Sequence, residues 1–159
     1  SQARSSLLEL KSLLHSERSA VSDTGTASLP LTGLLRDTAR TAERSGLGVE
    51  LDRTASVDLL PVAVRTTVYR IVQEAVTNTI RHAKASTLRI SVTVVDATVE
   101  VIVRDDGIGS SGNVREGHGL IGMRERVALL GGQLSVEPTP TGLTVSARLP
   151  AADENAVQA

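Results

Sequence analysis

From Pro61 onward the chain sets out an apolar stripe that few architectures can absorb: Val64, Val68, Ile71, Val72, Ala75, Val76, Thr79 and Ile80 return at intervals of three and four. A long amphipathic helix with proline in its first turn must lie against a second layer of structure. The residues that follow change period from 3.6 to 2. Leu88, Ile90, Val92 and Val94 alternate with polar neighbours, Asp96-Ala97 marks a turn, and Val99, Val101 and Val103 alternate again, which predicts a hairpin. A second hairpin is expected from Leu134 and Val136, then Leu143, Val145, Ala147 and Leu149, around the turn Pro138-Thr139-Pro140-Thr141-Gly142. Between the hairpins, Leu120 to Leu130 reads as another inner helix, with Met123, Val127 and Leu130 toward the core and Gly131-Gly132 as its stop.

Upstream, Thr32 can cap a helix from about Gly33 to Arg44. Leu34, Leu35, Thr38, Ala39 and Ala42 form its inner face, Gly46 ends it, and a short strand follows at Val49 to Asp52. The order helix, strand, helix, hairpin, loop, helix, hairpin predicts an α/β fold. It is an α+β sandwich in which a mixed sheet of about five strands is covered on one face by three helices. Farther toward the N-terminus, Leu7, Leu8, Leu10, Leu13 and Leu14 make a helical stripe that reads as the end of a longer helix. The small, polar run Ser22 to Ser28 follows it and reads as a linker. The expected organisation is a helix end in residues 1–20, a linker in 21–28, the main domain in 29–150 and an unstructured tail in 151–159.

The 159 residues suit one core-forming domain. Seventeen basic and eighteen acidic side chains leave a net charge of −1, so the basic field of a nucleic-acid binder is missing and no nucleic-acid partner is expected. The absence of cysteine excludes disulfides, thiolate metal sites and thiol nucleophiles, and it fits a cytoplasmic setting. No stretch approaches the roughly 18 apolar residues of a membrane span, so no membrane contact by this piece is expected. With one Tyr and neither Phe nor Trp, the core must be aliphatic and a bound planar base would need aliphatic walls.

Three stretches can carry chemistry. On the long helix Arg70, Glu74, Asn78 and His82 stand four apart and form one polar stripe. Glu74 and Asn78 offer hard oxygen donors one turn apart that could hold Mg²⁺, although a solvated helix face has the same spacing. Asp105-Asp106-Gly107-Ile108-Gly109 follows a strand. Its glycines allow close backbone approach and its acid can accept from an amino group, but a plain turn would look alike. Gly117-His118-Gly119-Leu120 opens the later helix, where free amides suit phosphate oxygens.

Taken together and in this order, the three resemble the N, G1 and G2 boxes of the ATP-binding catalytic domain of sensor histidine kinases. That domain shares the Bergerat-type fold of DNA gyrase, the heat-shock chaperone ATPases and the mismatch-repair ATPases. The resemblance covers roughly Leu29 to Pro150. More narrowly, Tyr69 to Ala83, Gly119 to Val127 and Leu130-Gly131-Gly132 are similar to the bacterial subclass whose response regulators carry helix-turn-helix output domains. The resemblance implies that Asp105 accepts from the adenine amino group, that Gly107 and Gly109 line the base pocket, and that Asn78 ligates Mg²⁺. It places Arg81 and His82 near the triphosphate and makes Gly117, Gly119 and Leu120 the backbone that cradles phosphate. Glu74 stands where gyrase-type relatives keep a general base, and is the candidate catalytic residue here. The lid between Gly109 and Gly117 is only Ser110 to Glu116, and a Phe-containing box is absent.

A histidine kinase must also phosphorylate a histidine, and the subclass's acceptor has an acidic residue directly after it. His15 is followed by Ser16, while His82 and His118 belong to nucleotide boxes. The resemblance therefore implies a catalytic fragment binding ATP and Mg²⁺, with residues 1–20 the end of a dimerisation helix. Its phosphoacceptor domain would lie outside this chain, its response regulator would carry a helix-turn-helix, and the parent would be a homodimer. An ATP hydrolase of the same superfamily and a non-catalytic nucleotide-binding docking module are the alternatives.

Overall fold

The computed structural model describes residues 29–82, 84–107 and 118–152, with only the backbone described at His82 and at 118–120. Nine elements follow in chain order: α1 (Leu31–Arg44), β1 (Gly48–Arg53), a 3-10 turn (Ala55–Leu59), α2 (Val62–His82), β2 (Thr87–Val95), β3 (Thr98–Asp105), α3 (His118–Leu129), β4 (Gln133–Thr139) and β5 (Gly142–Pro150). The five strands form one mixed sheet in the order β1-β2-β3-β5-β4. Only β1 and β2 are parallel, and α2 is their crossover; β2, β3, β5 and β4 pair antiparallel. The α/β fold, a mixed sheet with three helices on one side, is the one the periodicities predict.

Alternation decides which side of the sheet faces the helices. Leu88, Ile90, Val92, Val99, Val101, Val103, Val145, Ala147 and Leu149 are buried on one face, opposite Leu31, Leu35, Val64, Val68, Ile71, Val72 and Val76 of the helices. The other face carries Glu50 bonded to Arg89 at 2.8 Å, Glu100 bonded to Arg148 at 3.2 Å, and Ser135 bonded to Ser146 at 2.8 Å. Each is a directly opposed cross-strand pair. Tyr69, the single aromatic side chain, is half-buried and lines the seam between α1 and α2 with Leu31, Leu34 and Arg65.

Glycine ends two of the helices. Gly46 (φ +104°) and Gly131 (φ +81°) are left-handed, and the bonds Gly46 N to Glu43 O, Leu47 N to Ala42 O, Gly131 N to Ala128 O and Gly132 N to Val127 O complete a Schellman cap at each end.

Several details differ from the expectations. Thr32 does not cap α1; the helix begins at Leu31 after Pro30, which makes no side-chain cap. Its free first-turn amide at Thr32 is satisfied from 26 residues away, where Asp58 accepts from Thr32 N at 2.8 Å and from the Thr32 hydroxyl at 2.7 Å. Burial alone would raise the Asp58 carboxyl; these hydrogen bonds and the nearby Arg53 charge outweigh it and hold the group below its usual range. Ile80 is 39% exposed because it lies one turn past Val76 and has rotated about 40° off the stripe. α3 starts at His118, not Leu120. β4 runs through Pro138, as an edge strand allows, so the turn shrinks to Pro140-Thr141. Beyond β5, Ala151 N donates to Ala97 O at 2.8 Å. The helix end and linker expected in 1–28 and the rest of the tail, 153–159, lie outside the described residues.

Candidate functional site

β3 ends at Asp105, and the two chain segments beside it explain why the strand stops there. Asp105 is only 5% exposed, on the helix-facing side. Its Oδ1 accepts from Gly107 N at 3.0 Å and from Leu143 N at 3.3 Å, and its Oδ2 accepts from the hydroxyl of Thr79, also 5% exposed, at 3.0 Å. A buried carboxylate needs such donors to offset its desolvation. Thr79 directly follows Asn78 on α2, so the strand-end acid and the helix bearing the polar stripe meet in one place.

The next residue faces the other way. Asp106 is exposed, and its Oδ1 accepts from Ser86 N and Thr87 N, both at 2.8 Å. Those amide bonds, from Thr87 first and then Ser86, hold the Asp106 carboxyl below its usual value. They also tie the segment leaving α2 to the end of β3. In that segment Lys84 adopts φ +46°, a left-handed conformation uncommon for lysine.

Gly142 completes the corner. With φ +151°, it brings the start of β5 so close that a Cβ would overlap the carbonyl oxygen of Asp105 and crowd Asp106 Cα. Read from sequence as part of a turn, Gly142 is also a spacing requirement at Asp105. By sequence, Thr79 falls on the apolar face of its helix. A polar residue in an otherwise aliphatic stripe was the one available signal for it.

The remaining predicted residues divide as follows. Glu74 and Asn78 are half-buried on α2, one turn apart, and Arg81 is exposed on its last turn. His82 is the final residue of α2. Gly107 is buried beside Asp105, to which its amide donates. Gly119 and Leu120 fall in the first turn of α3, which packs against α2. Gly109, Gly117 and the lid Ser110 to Glu116 lie outside the described residues. A trough of about 550 Å³ at this end of the sheet, lined by Glu50, Arg89, Arg104, Asp106 and Thr141 among others, reaches Asp105 but includes no residue of α2.

The geometry can be set beside known proteins. Residues 63–153 match the family of histidine kinase-, DNA gyrase B- and HSP90-like ATPases. The chain belongs to this family. Sensor histidine kinase YxjM of Bacillus subtilis is 38% identical over 160 residues, covering 99% of this chain and 38% of YxjM. The signal transduction histidine-protein kinase/phosphatase DegS of Brevibacillus brevis is 32% identical over 156 residues, or 95% of this chain and 39% of DegS. The chain thus spans about two-fifths of the length of these curated relatives. Among solved structures, the histidine kinase domain of the blue-light-activated histidine kinase from Erythrobacter litoralis EL346 shares the ATPase-family fold. Its TM-score is 0.64 at 22% identity, over 77% of this chain and 61% of that one. The Acinetobacter baumannii histidine kinase AdeS gives 0.62 at 18% identity, over 91% and 81%. Among the described residues no helix is long and apolar enough to cross a membrane.

Proposed function

We propose that this chain is the ATP-binding catalytic part of a two-component sensor histidine kinase, binding Mg·ATP between α2 and the start of α3. It passes the γ-phosphoryl to a histidine on a dimerisation domain outside residues 29–150, whose connection would be the linker 21–28 and the helix end in 1–20. The parent would be a cytoplasmic-facing homodimer that phosphorylates a response regulator with a helix-turn-helix output domain. The observation that carries this reading is the buried Asp105 carboxylate, oriented by three donors and held against the helix turn that bears Asn78. A carboxylate so placed can accept from an exocyclic amino group, and glycine at 107 puts no side chain beside it.

The donor set on α2 fits Mg²⁺. Among the described residues no three His, Cys, Asp or Glu side chains gather as a cage. An ion here would take one or two protein oxygens, Asn78 first and Glu74 second, with water and phosphate supplying the rest. When bound, Mg²⁺ neutralises charge on the triphosphate oxygens. In this reading Asp105 would hold the base, Arg81 would reach the phosphates and the first-turn backbone of α3 at Gly119 and Leu120 would receive phosphate oxygens; the roles that the family resemblance gives to His82, Gly109 and Gly117 fall outside the described side chains and residues. In the transfer, the bond from γ-phosphorus to the β,γ-bridging oxygen breaks, a bond to imidazole nitrogen forms, and the imidazole proton goes to a base, for which Glu74 is the candidate. Positioning and electrostatics do most of this work.

Calorimetry with a non-hydrolysable ATP analogue, followed by mixing with the separately produced dimerisation domain, tests the reading. Mg²⁺-dependent binding and acid-labile phosphate on the added domain are expected. Steady phosphate release by the chain alone, with none transferred, would mark a hydrolase instead. Failure to bind nucleotide would remove both.

A further inference from the structure

Two other inward-facing helical threonines satisfy themselves: the hydroxyls of the half-buried Thr38 and the buried Thr67 each donate to the carbonyl four residues back, Leu34 O at 2.9 Å and Ala63 O at 2.8 Å. Thr79 is different. Its hydroxyl lies 3.1 Å from Ala75 O and 3.0 Å from Asp105 Oδ2, so one hydrogen faces two acceptors. The other carboxylate oxygen, Oδ1, already has two backbone donors, Gly107 N and Leu143 N. Among the described residues, Thr79 is the donor the structure gives to Oδ2, and it is the only side chain among the three donors. The two backbone amides are supplied whatever side chain stands at 107 or 143, proline excepted, whereas the third donor is written in the side chain of residue 79.

We infer that Thr79 is a specificity-determining positioning residue: its hydroxyl holds Oδ2 of Asp105 at the angle from which the carboxylate discriminates a purine carrying an exocyclic amino group from one lacking it. This rests on the proposed nucleotide site and adds a residue to it. Two physical consequences follow from the geometry. Without the hydroxyl, Oδ1 stays anchored while the carboxylate is free to rotate about the bond that Thr79 restrains. The tie between the strand end and α2 is also lost, and with it the fixed offset between the base-recognising acid and Asn78, one residue away on the same helix. The Ala75 carbonyl supplies a resting partner for the hydroxyl and keeps its own helical bond, so the hydroxyl can lean toward Asp105 at little cost.

The test compares Thr79→Val, which keeps the shape and removes the hydroxyl, with Thr79→Ser, which keeps the hydroxyl and removes a methyl. Binding of ATP and of purine riboside triphosphate, which lacks the 6-amino group, is measured by calorimetry in the full 159-residue chain, with circular dichroism melts alongside. Thr79→Val is expected to bind ATP about tenfold more weakly, the size of one hydrogen bond to a charged group, and to bind the analogue almost as wild type does, so that the preference for ATP collapses. Thr79→Ser is expected to keep that preference. If Thr79→Val retains the wild-type preference, or if both variants weaken both nucleotides equally, the side chain acts only in packing and the inference is wrong. Asp105→Asn separates this from failure of the site itself. Loss of the ATP preference there, with none lost in Thr79→Val, overturns the role of Thr79 alone, whereas an unchanged preference in Asp105→Asn overturns the nucleotide site and this inference with it.

Discussion

Asp105 and Asp106 are neighbours in the chain and opposites in the fold. Asp105 is the last residue of β3, turned toward the helices, buried and surrounded by donors from α2, β5 and the following loop. Asp106 is exposed and binds two successive amides of the segment between α2 and β2. Both carboxylates are satisfied, but one has given its hydrogen-bonding capacity to a buried corner and the other to loop closure. Strand alternation alone sends them to opposite sides. Two acids in a row are therefore not interchangeable: burial knits one into the contact of strand, helix and loop, and exposure leaves the other as a fastener between two loops.

The harshest way to break the comparison is Gly142→Ala. The added methyl would meet the Asp105 carbonyl at a backbone angle that alanine resists, so we expect a loss of about 3 kcal/mol, read as a fall of roughly 10 °C in melting midpoint. A midpoint within a degree or two of wild type would mean that β5 can withdraw from Asp105. Asp105→Asn should come next and act mainly on the ligand. ATP affinity falls about a hundredfold by calorimetry, as when a buried acceptor is replaced by a group that repels its donors.

Asp106→Ala should lower the melting midpoint modestly and leave ATP affinity within about twofold, the signature of a fastener rather than a recognition group. Its pH dependence sharpens the point. The folded-state carboxyl titrates below its unfolded value, so its contribution is present above the unfolded value of about 4 and is lost as pH falls through the lower folded one. Melts between about pH 6 and pH 2.5 should therefore show a gentler acid decline in Asp106→Ala than in wild type. Parallel curves would show that the amide bonds to Asp106 do not persist in solution. Smallest of all is Glu50→Ala, which removes the exposed ion pair with Arg89 on the open face and should cost about 0.5 kcal/mol or less in chemical denaturation.

Local rules made much of the fold legible. The two hairpins, the apolar face of α2 up to Val76 and the glycine stops at Gly46 and Gly131 all depend on residues within one turn or one strand of each other, and they form as read apart from the exposed Ile80 and the shorter second turn. What escaped depends on residues far apart in the chain. The cap of α1 comes from Asp58, the 3-10 turn carrying it has no periodic signal, and Lys84, two residues past α2, takes a conformation where glycine would be expected. The candidate site divides the same way. Asp105 and the stripe on α2 could be picked out from residue type and spacing, but Thr79 looked like one more inward-facing residue. Nothing in a period of 3.6 tells a threonine that fills space from one that meets an acid 26 positions later. Gly142 was hidden for the same reason, since a turn glycine and a glycine pressed against another strand look identical in sequence.

Tyr69 gives the chain a built-in optical reporter. With no tryptophan to mask it, near-ultraviolet emission and dichroism come from this one phenol, lodged in the seam between α1 and α2. It sits ten residues before Thr79 on the same helix, about 15 Å along the axis. Light absorbed there reports whether the two helices stay zipped together, and a signal that moved when a ligand was added at the far end would be a direct reading of strain travelling down α2.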